Sequence, residues 1–230
     1  AVGLMGALAA QAPAAATPAE DLARRVETKH RTLVDLTADF VQTYRSGMLG
    51  RAIVEKGALS LKPPGRMRWE YRDPEKKTFV SDGRTFYFYV PADRQVIVRS
   101  QADARGIPAL LMSGRGEILT HFTVAEEKPP SRGMRRLRLV PREVDPEIDH
   151  VLLDVDEAAR IRGITVLDAQ GNRSQFAFDR FKENVGLDDR LFRKPDNTQM
   201  TLADLQAAPL KACVGANLPP ACGTSGASTA

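Results

Sequence analysis

Residues 61–74, LKPPGRMRWEYRDP, place Met67, Trp69 and Tyr71 at alternate positions with Arg66, Arg68, Glu70 and Arg72 between them. Successive side chains of a strand point to opposite faces, so the segment predicts a ribbon with one aromatic face and one charged face. The apolar face needs a partner, either a packed core or a ligand. Lys62-Pro63-Pro64-Gly65 must end the strand before it, because proline donates no hydrogen bond to a ladder and restricts the preceding residue. On the other side, Asp82-Gly83 between TFVS and RTFYFYV is a two-residue hairpin signal. That register sets Phe79 opposite Phe86, with Phe88 further along the same face and Val80, Tyr87 and Tyr89 on the other.

The alternation continues in both directions. A strand is predicted at 40–44 (FVQTY), and others near 119–127, 134–142, 149–156, 160–168 and 173–182, with turn residues such as Gln170-Gly171-Asn172 between them. The pattern is that of a large antiparallel sheet. Upstream, Thr17 as N-cap, Pro18 in the first turn and Glu20 form a capping box. Leu22, Val26, His30 and Leu33 then share a stripe, predicting an amphipathic helix over 18–36. Ile107 to Met112, between Gly106 and the Gly114/Gly116 pair, reads as a short apolar helix, and a last helical turn is expected near Leu202 to Ala207.

A chain of 230 residues with 43% hydrophobic and 27% charged residues can bury a core, and one β-rich domain accommodates it. The formal charge of +4 and pI near 9.2 suit attraction to anionic surfaces and say nothing of fold. No Lys/Arg block is long enough for a nucleic-acid arm, and MRRLRL at 134–139 alternates as a strand with one basic face. AVGLMGALAAQA at the start offers small-residue cleavage sites at Ala7-Leu8-Ala9 and Ala10-Gln11-Ala12. Residues 1–16 therefore read as the remnant of a secretory signal peptide or as a disordered Ala-rich leader. The segment is too short to span a bilayer, and the expected product is exported and soluble. The domain is expected over 17–208, followed by an Ala/Pro/Gly-rich disordered tail at 209–230. Its Cys213 and Cys222 would pair in an oxidising compartment, or else stay free thiols.

Catalytic patterns are wanting. His30, His121 and His150 have no metal-ligand spacing, and His30 on the helix stripe reads as a packing residue. The serines show no G-x-S-x-G elbow, and Gly114-Arg115-Gly116 lacks the rest of a phosphate loop. Glu126/Glu127 and Asp154/Asp156 read as solvated positions. No enzymatic activity, cofactor or metal is expected. What remains is an apolar face carrying Met67, Trp69, Tyr71, Phe79, Phe86 and Phe88, with little helix to cover it.

The order of these motifs resembles the LolA family of periplasmic lipoprotein carriers: an N-terminal amphipathic helix, the F-x-Q element at Phe40 to Gln42, GALSLKPPGRMRWEY, VSDGRTFYFYVP, and ENVGLDDRLF at 183–192. The likeness covers roughly 17–200. It implies a mainly β fold with some α: an incomplete, strongly curved antiparallel β-barrel under a lid of a few helices. By this resemblance Met67, Trp69, Tyr71, Phe79, Phe86 and Phe88 line an acyl-chain cavity, and Leu110, Leu111 and Met112 match the lid helix, which its flanking glycines would let move. The resemblance also implies acylated lipoproteins as cargo, an inner-membrane lipoprotein-releasing ABC transporter as donor and an outer-membrane acceptor, a LolB-like receptor where one exists. It implies a periplasmic monomer with no nucleic-acid partner.

Family members usually carry an arginine directly before the proline of the first hairpin, where it helps to hold the lid closed. Pro63 occupies that position here, with Lys62, Arg66 and Arg68 nearby as replacements, although alternation places Arg66 and Arg68 opposite Met67 and Trp69. The expectation is a lid latched less firmly or differently. Equal lid hydrogen exchange in this protein and a Pro63→Arg variant would count against it. Two other roles remain open: an RseB-like sensor of lipid or lipoprotein, which would carry a second domain for which the residues after the first are expected to be too few, and a carrier of another lipid.

Overall fold

The computed structural model describes residues 15–48, 51–92, 95–100, 111, 118–145 and 148–195. The leader, most of the expected lid segment including Leu110 and Met112, the expected helical turn at 202–207 and both cysteines lie outside the described residues.

Helix α1, Pro18–Thr32, begins with the capping box. Glu20 N donates to Thr17 Oγ1 at 3.2 Å, and Thr17 N donates to Glu20 Oε2 at 2.9 Å. It stops four residues before the predicted end, with Leu33 extended. From Leu36 onward the chain pairs on both sides at once, and two ladders outweigh a further helical turn. Ala19, Leu22, Ala23 and Val26 bury the apolar stripe.

Eleven antiparallel strands follow: β1 Leu36–Arg45, β2 Ala52–Lys62, β3 Arg66–Asp73, β4 Lys77–Asp82, β5 Thr85–Val90, β6 Gln95–Ser100, β7 Phe122–Glu127, β8 Met134–Pro141, β9 His150–Asp156, β10 Ile161–Leu167 and β11 Arg173–Glu183. They form one curved sheet in the order β6-β5-β4-β3-β2-β1-β11-β10-β9-β8-β7, with β6 and β7 as unjoined edges. This is the incomplete barrel that the family resemblance implied. A short helix α2, Ile118–His121, replaces the predicted start of β7. It is tied to α1 by Leu119 N, which donates to the buried Glu27 carboxylate at 3.1 Å.

One face of the sheet holds the core. α1 lies across one end of that face: Lys29 pairs with Glu183 of β11 at 2.5 Å, while near the other end of the helix Arg135 of β8 donates to the Pro18 carbonyl at 3.3 Å. The opposite face of β8 carries Arg136 and Arg138 of the MRRLRL strand.

Two expectations need correction. The β4–β5 register is shifted by two residues from the two-residue hairpin: Phe79 pairs with Phe88, and Ser81 with Phe86. Asp82 Oδ1 accepts from both Arg84 N and Thr85 N at 2.8 Å, which stabilises a wider turn than Asp-Gly alone requires. Because the shift is even, every side chain keeps its predicted face. Asp154 is not solvated. It is 8% exposed and joined to Arg136 by two bonds of 2.6 and 2.9 Å. Its neighbour Gly163 has no side chain, and a Cβ there would stand 3.1 Å from the carboxylate.

Candidate functional site

The first strands of the sheet place their large side chains on one concave wall. On β3, Met67, Trp69 and Tyr71 alternate inward, and β4 and β5 add Phe79, Phe86 and Phe88; all six are buried. The sequence reading of which face is apolar is therefore correct, and these residues form one cluster with α1 and Leu111. Leu111 is 5% exposed, the one expected lid position among the described residues.

The wall also contains aromatic residues outside the predicted site. Phe40 of β1 packs edge-on to Trp69 and Tyr71, with centroids at 5.2 and 4.9 Å, and Trp69 meets Phe176 and Phe178 of β11 at 5.5 and 5.8 Å. Phe79 stacks on Phe86 at 5.1 Å. Edge-to-face pairs of this kind add roughly 0.5–1.5 kcal/mol each beyond area burial. Alternation in SQFAFDRF was the signal for Phe176 and Phe178, but only the β1–β11 pairing brings them beside Trp69.

The F-x-Q and GALSL motifs acquire a physical meaning here. Gly57 lies opposite Phe40, and a Cβ on it would come within 2.7 Å of the Phe40 ring and 2.1 Å of the Glu70 carbonyl oxygen. Glycine alone lets the ring lie against the backbone. Gln42 accepts a 2.7 Å bond from the Tyr71 hydroxyl. Burial, and after it the Glu55 carboxylate, push that hydroxyl well above its ordinary pKa, so Tyr71 is a neutral donor.

Trp69 Nε1 is buried without a hydrogen-bond partner, as is Nδ1 of His30 at the end of α1. Burial first and Lys29 second lower the His30 pKa from 6.5 to about 4, against an opposing effect of Glu183. His30 is thus the neutral packing residue that the helix stripe predicted, 8% exposed beside Leu33, Leu36 and Leu61. The described residues hold no group of three or more His, Cys, Asp or Glu arranged for a metal.

The cations near Pro63 are occupied elsewhere. Lys62 donates to the Leu187 carbonyl at 2.7 Å and pairs with Asp189 at 2.5 Å; Arg66 reaches Asp189 at 2.9 Å, and Arg68 donates to the Leu191 carbonyl at 3.3 Å. All three fasten the 3-10 turn Asp189–Phe192 to the outer face of the sheet. Asp35, fully buried, accepts from Val185 N and Leu187 N at 2.6 and 2.7 Å and fixes the start of the same segment. The ENVGLDDRLF element is therefore a clasp, with Asp189 held by opposite charges on β2 and β3. Beside it, Arg68, Arg190, Arg193 and Lys194 are among the residues that line an open cleft of about 430 Å³.

Comparison with known proteins agrees with this architecture. Residues 31–195 match the profile of the family described as "Outer membrane lipoprotein carrier protein LolA". An outer-membrane lipoprotein carrier protein from Chromohalobacter salexigens is 33% identical over 190 residues, covering 82% of this chain and 87% of that protein. One from Methylococcus capsulatus is 32% identical over 160 residues, covering 69% and 76%. An uncharacterized conserved protein from Thermus thermophilus shares the fold at a TM-score of 0.50 and 17% identity, covering 78% of this chain and 96% of its own. With its curved, unclosed sheet, its buried aromatic wall and the profile match across most of its length, the chain belongs to the LolA family.

Proposed function

We propose that this chain is a soluble periplasmic chaperone that binds the acyl chains of lipoproteins against the wall of Met67, Trp69, Tyr71, Phe79, Phe86 and Phe88. In this reading it takes them from an inner-membrane transporter and yields them to an acceptor at the outer membrane. The carrying observation is the wall itself: a continuous buried aromatic face on a sheet whose two edges remain unjoined. An unjoined sheet can spread between its β6 and β7 edges, which a closed barrel cannot. Leu111, which lies between those strands in the sequence, takes part in the same cluster, and the proposed lid is Leu110, Leu111 and Met112.

The energetics call for such a protein. A buried methylene contributes about 0.8 kcal/mol, so one sixteen-carbon chain in water costs on the order of 12 kcal/mol. A lipoprotein with several chains does not cross an aqueous compartment unaided. A wall of phenyl and indole rings shields the chains through non-directional contact, so it releases them to a deeper apolar acceptor. The carrier needs no catalytic group for this transfer.

The test is native mass spectrometry of the protein with a triacylated lipoprotein and with the same lipoprotein stripped of its chains. Binding of the acylated form alone, reduced at least tenfold by Trp69→Glu in a folded variant, is expected. Equal binding of both forms, or binding of neither by folded protein, overturns the proposal.

A further inference from the structure

The aromatic wall has a sharp lower boundary. At the end of the sheet away from α1, five inward positions on adjacent strands are polar and linked: Ser174 on β11, Gln42 on β1, Glu55 on β2, Tyr71 on β3 and Lys77 on β4. Gln42 Nε2 donates to Ser174 Oγ at 3.3 Å, and the Tyr71 hydroxyl donates to Gln42 Oε1 at 2.7 Å. Lys77 Nζ donates to Glu55 Oε1 at 2.6 Å and sits 4.5 Å above the Tyr71 ring. The Lys77 and Glu55 side chains are only 8% and 4% exposed. Two residues along the same strands lie Phe176, Phe40, Gly57, Trp69 and Phe79. Along each of these strands the wall passes from apolar to polar within one step of the side-chain repeat, about 7 Å, and the register staggers the boundary, with Phe176 level with Gln42 and Phe40 level with Gly57 and Tyr71.

A buried ion pair adds little net stability compared with apolar residues of the same volume. Stability alone therefore does not account for a charge pair at the foot of an apolar wall. What the pair does impose is a limit. An acyl chain lying on the wall gains with each methylene until it reaches this layer. The next methylene must part the carboxylate from the ammonium or strip the Tyr71–Gln42 bond, with no water to replace what is lost. Parting such a pair costs several times what one methylene contributes.

We infer that the Glu55–Lys77 and Gln42–Tyr71 contacts form the end-stop of the acyl site and set the length of chain that this half of the sheet accepts. The inference rests on the proposed acyl-binding role of the wall, and its failure is distinguishable from failure of that role.

The experiment measures affinity for synthetic lipopeptides that share one peptide and carry acyl chains of increasing length. For the native protein, affinity is expected to rise about fourfold per methylene and then level off. The double variant Glu55→Leu/Lys77→Met replaces the pair by apolar groups of similar size and should carry the rise at least two methylenes further. Glu55→Asp/Lys77→Arg keeps the charges and should keep the native plateau. Should Glu55→Leu/Lys77→Met fail to fold, Gln42→Leu/Tyr71→Phe removes the other contact and should move the plateau in the same direction. A plateau at the same length in native and apolar variants overturns the end-stop while leaving the acyl site standing. Absence of any length dependence in the native protein overturns the acyl site, and the end-stop with it.

Discussion

Gly57 and His30 show how single residues carry the fold's constraints. Gly57→Ala sets a methyl group against both the Glu70 carbonyl and the Phe40 ring, on a central pair of strands that cannot yield independently. Overpacking of this kind costs about 3 kcal/mol, to be read from urea unfolding followed by the fluorescence of Trp69, the chain's one tryptophan. His30 makes stability depend on pH. In the unfolded chain it gains a proton as pH falls through 6.5, whereas the folded protein resists until about 4. Between those values the unfolded state binds more protons, so folding loses stability as pH drops, by about 3 kcal/mol over the window. Above 6.5 neither state binds the proton and the contribution is flat. His30→Met should abolish this part of the pH dependence in melting experiments between pH 4 and 7. An unchanged slope would show that other groups govern it.

Among the elements, the clasp at 183–192 depends on one buried carboxylate. Asp35→Ala removes the acceptor of Val185 N and Leu187 N together, a loss of about 3 kcal/mol for two charge-assisted bonds. Hydrogen exchange at those two amides should accelerate more than at the β1–β2 ladder, since the ladder does not use Asp35. Equal acceleration everywhere would mean that the clasp and the sheet open as one unit. The same clasp bears on Pro63. Lys62, Arg66 and Arg68, the cations flanking it, are all engaged by the clasp. The β4–β5 hairpin teaches a related lesson: Asp-Gly marked the turn correctly, but the carboxylate of Asp82 widened it, and an even shift preserved the faces.

At the scale of the whole molecule, the core runs without interruption from Phe86 on β5 through Phe40 and Phe176 to Leu139 on β8, with α1 packed across it. Unfolding should therefore follow one transition, with tryptophan fluorescence from the β3 half coinciding with loss of far-ultraviolet circular dichroism. Separate midpoints would show that the two halves of the open sheet come apart independently.

The sequence by itself determined the faces. Period-two alternation in RMRWEYRD, KTFVS, TFYFYV and SQFAFD assigns each side chain inward or outward whatever strand lies beside it, because that assignment is a property of one strand's geometry; at Arg180, with φ of 51°, the alternation breaks and Phe181 packs against the core. The capping box likewise fixed the start of α1 from contacts three residues apart. Tertiary structure decided what depends on pairing between distant segments. The end of α1 was set by competition with two ladders, and the burial of Asp154 by Arg136 on a neighbouring strand. Tyr71, Gln42, Glu55 and Lys77 became one polar layer only because β1 to β4 lie side by side, so no local pattern could have marked where the aromatic wall ends.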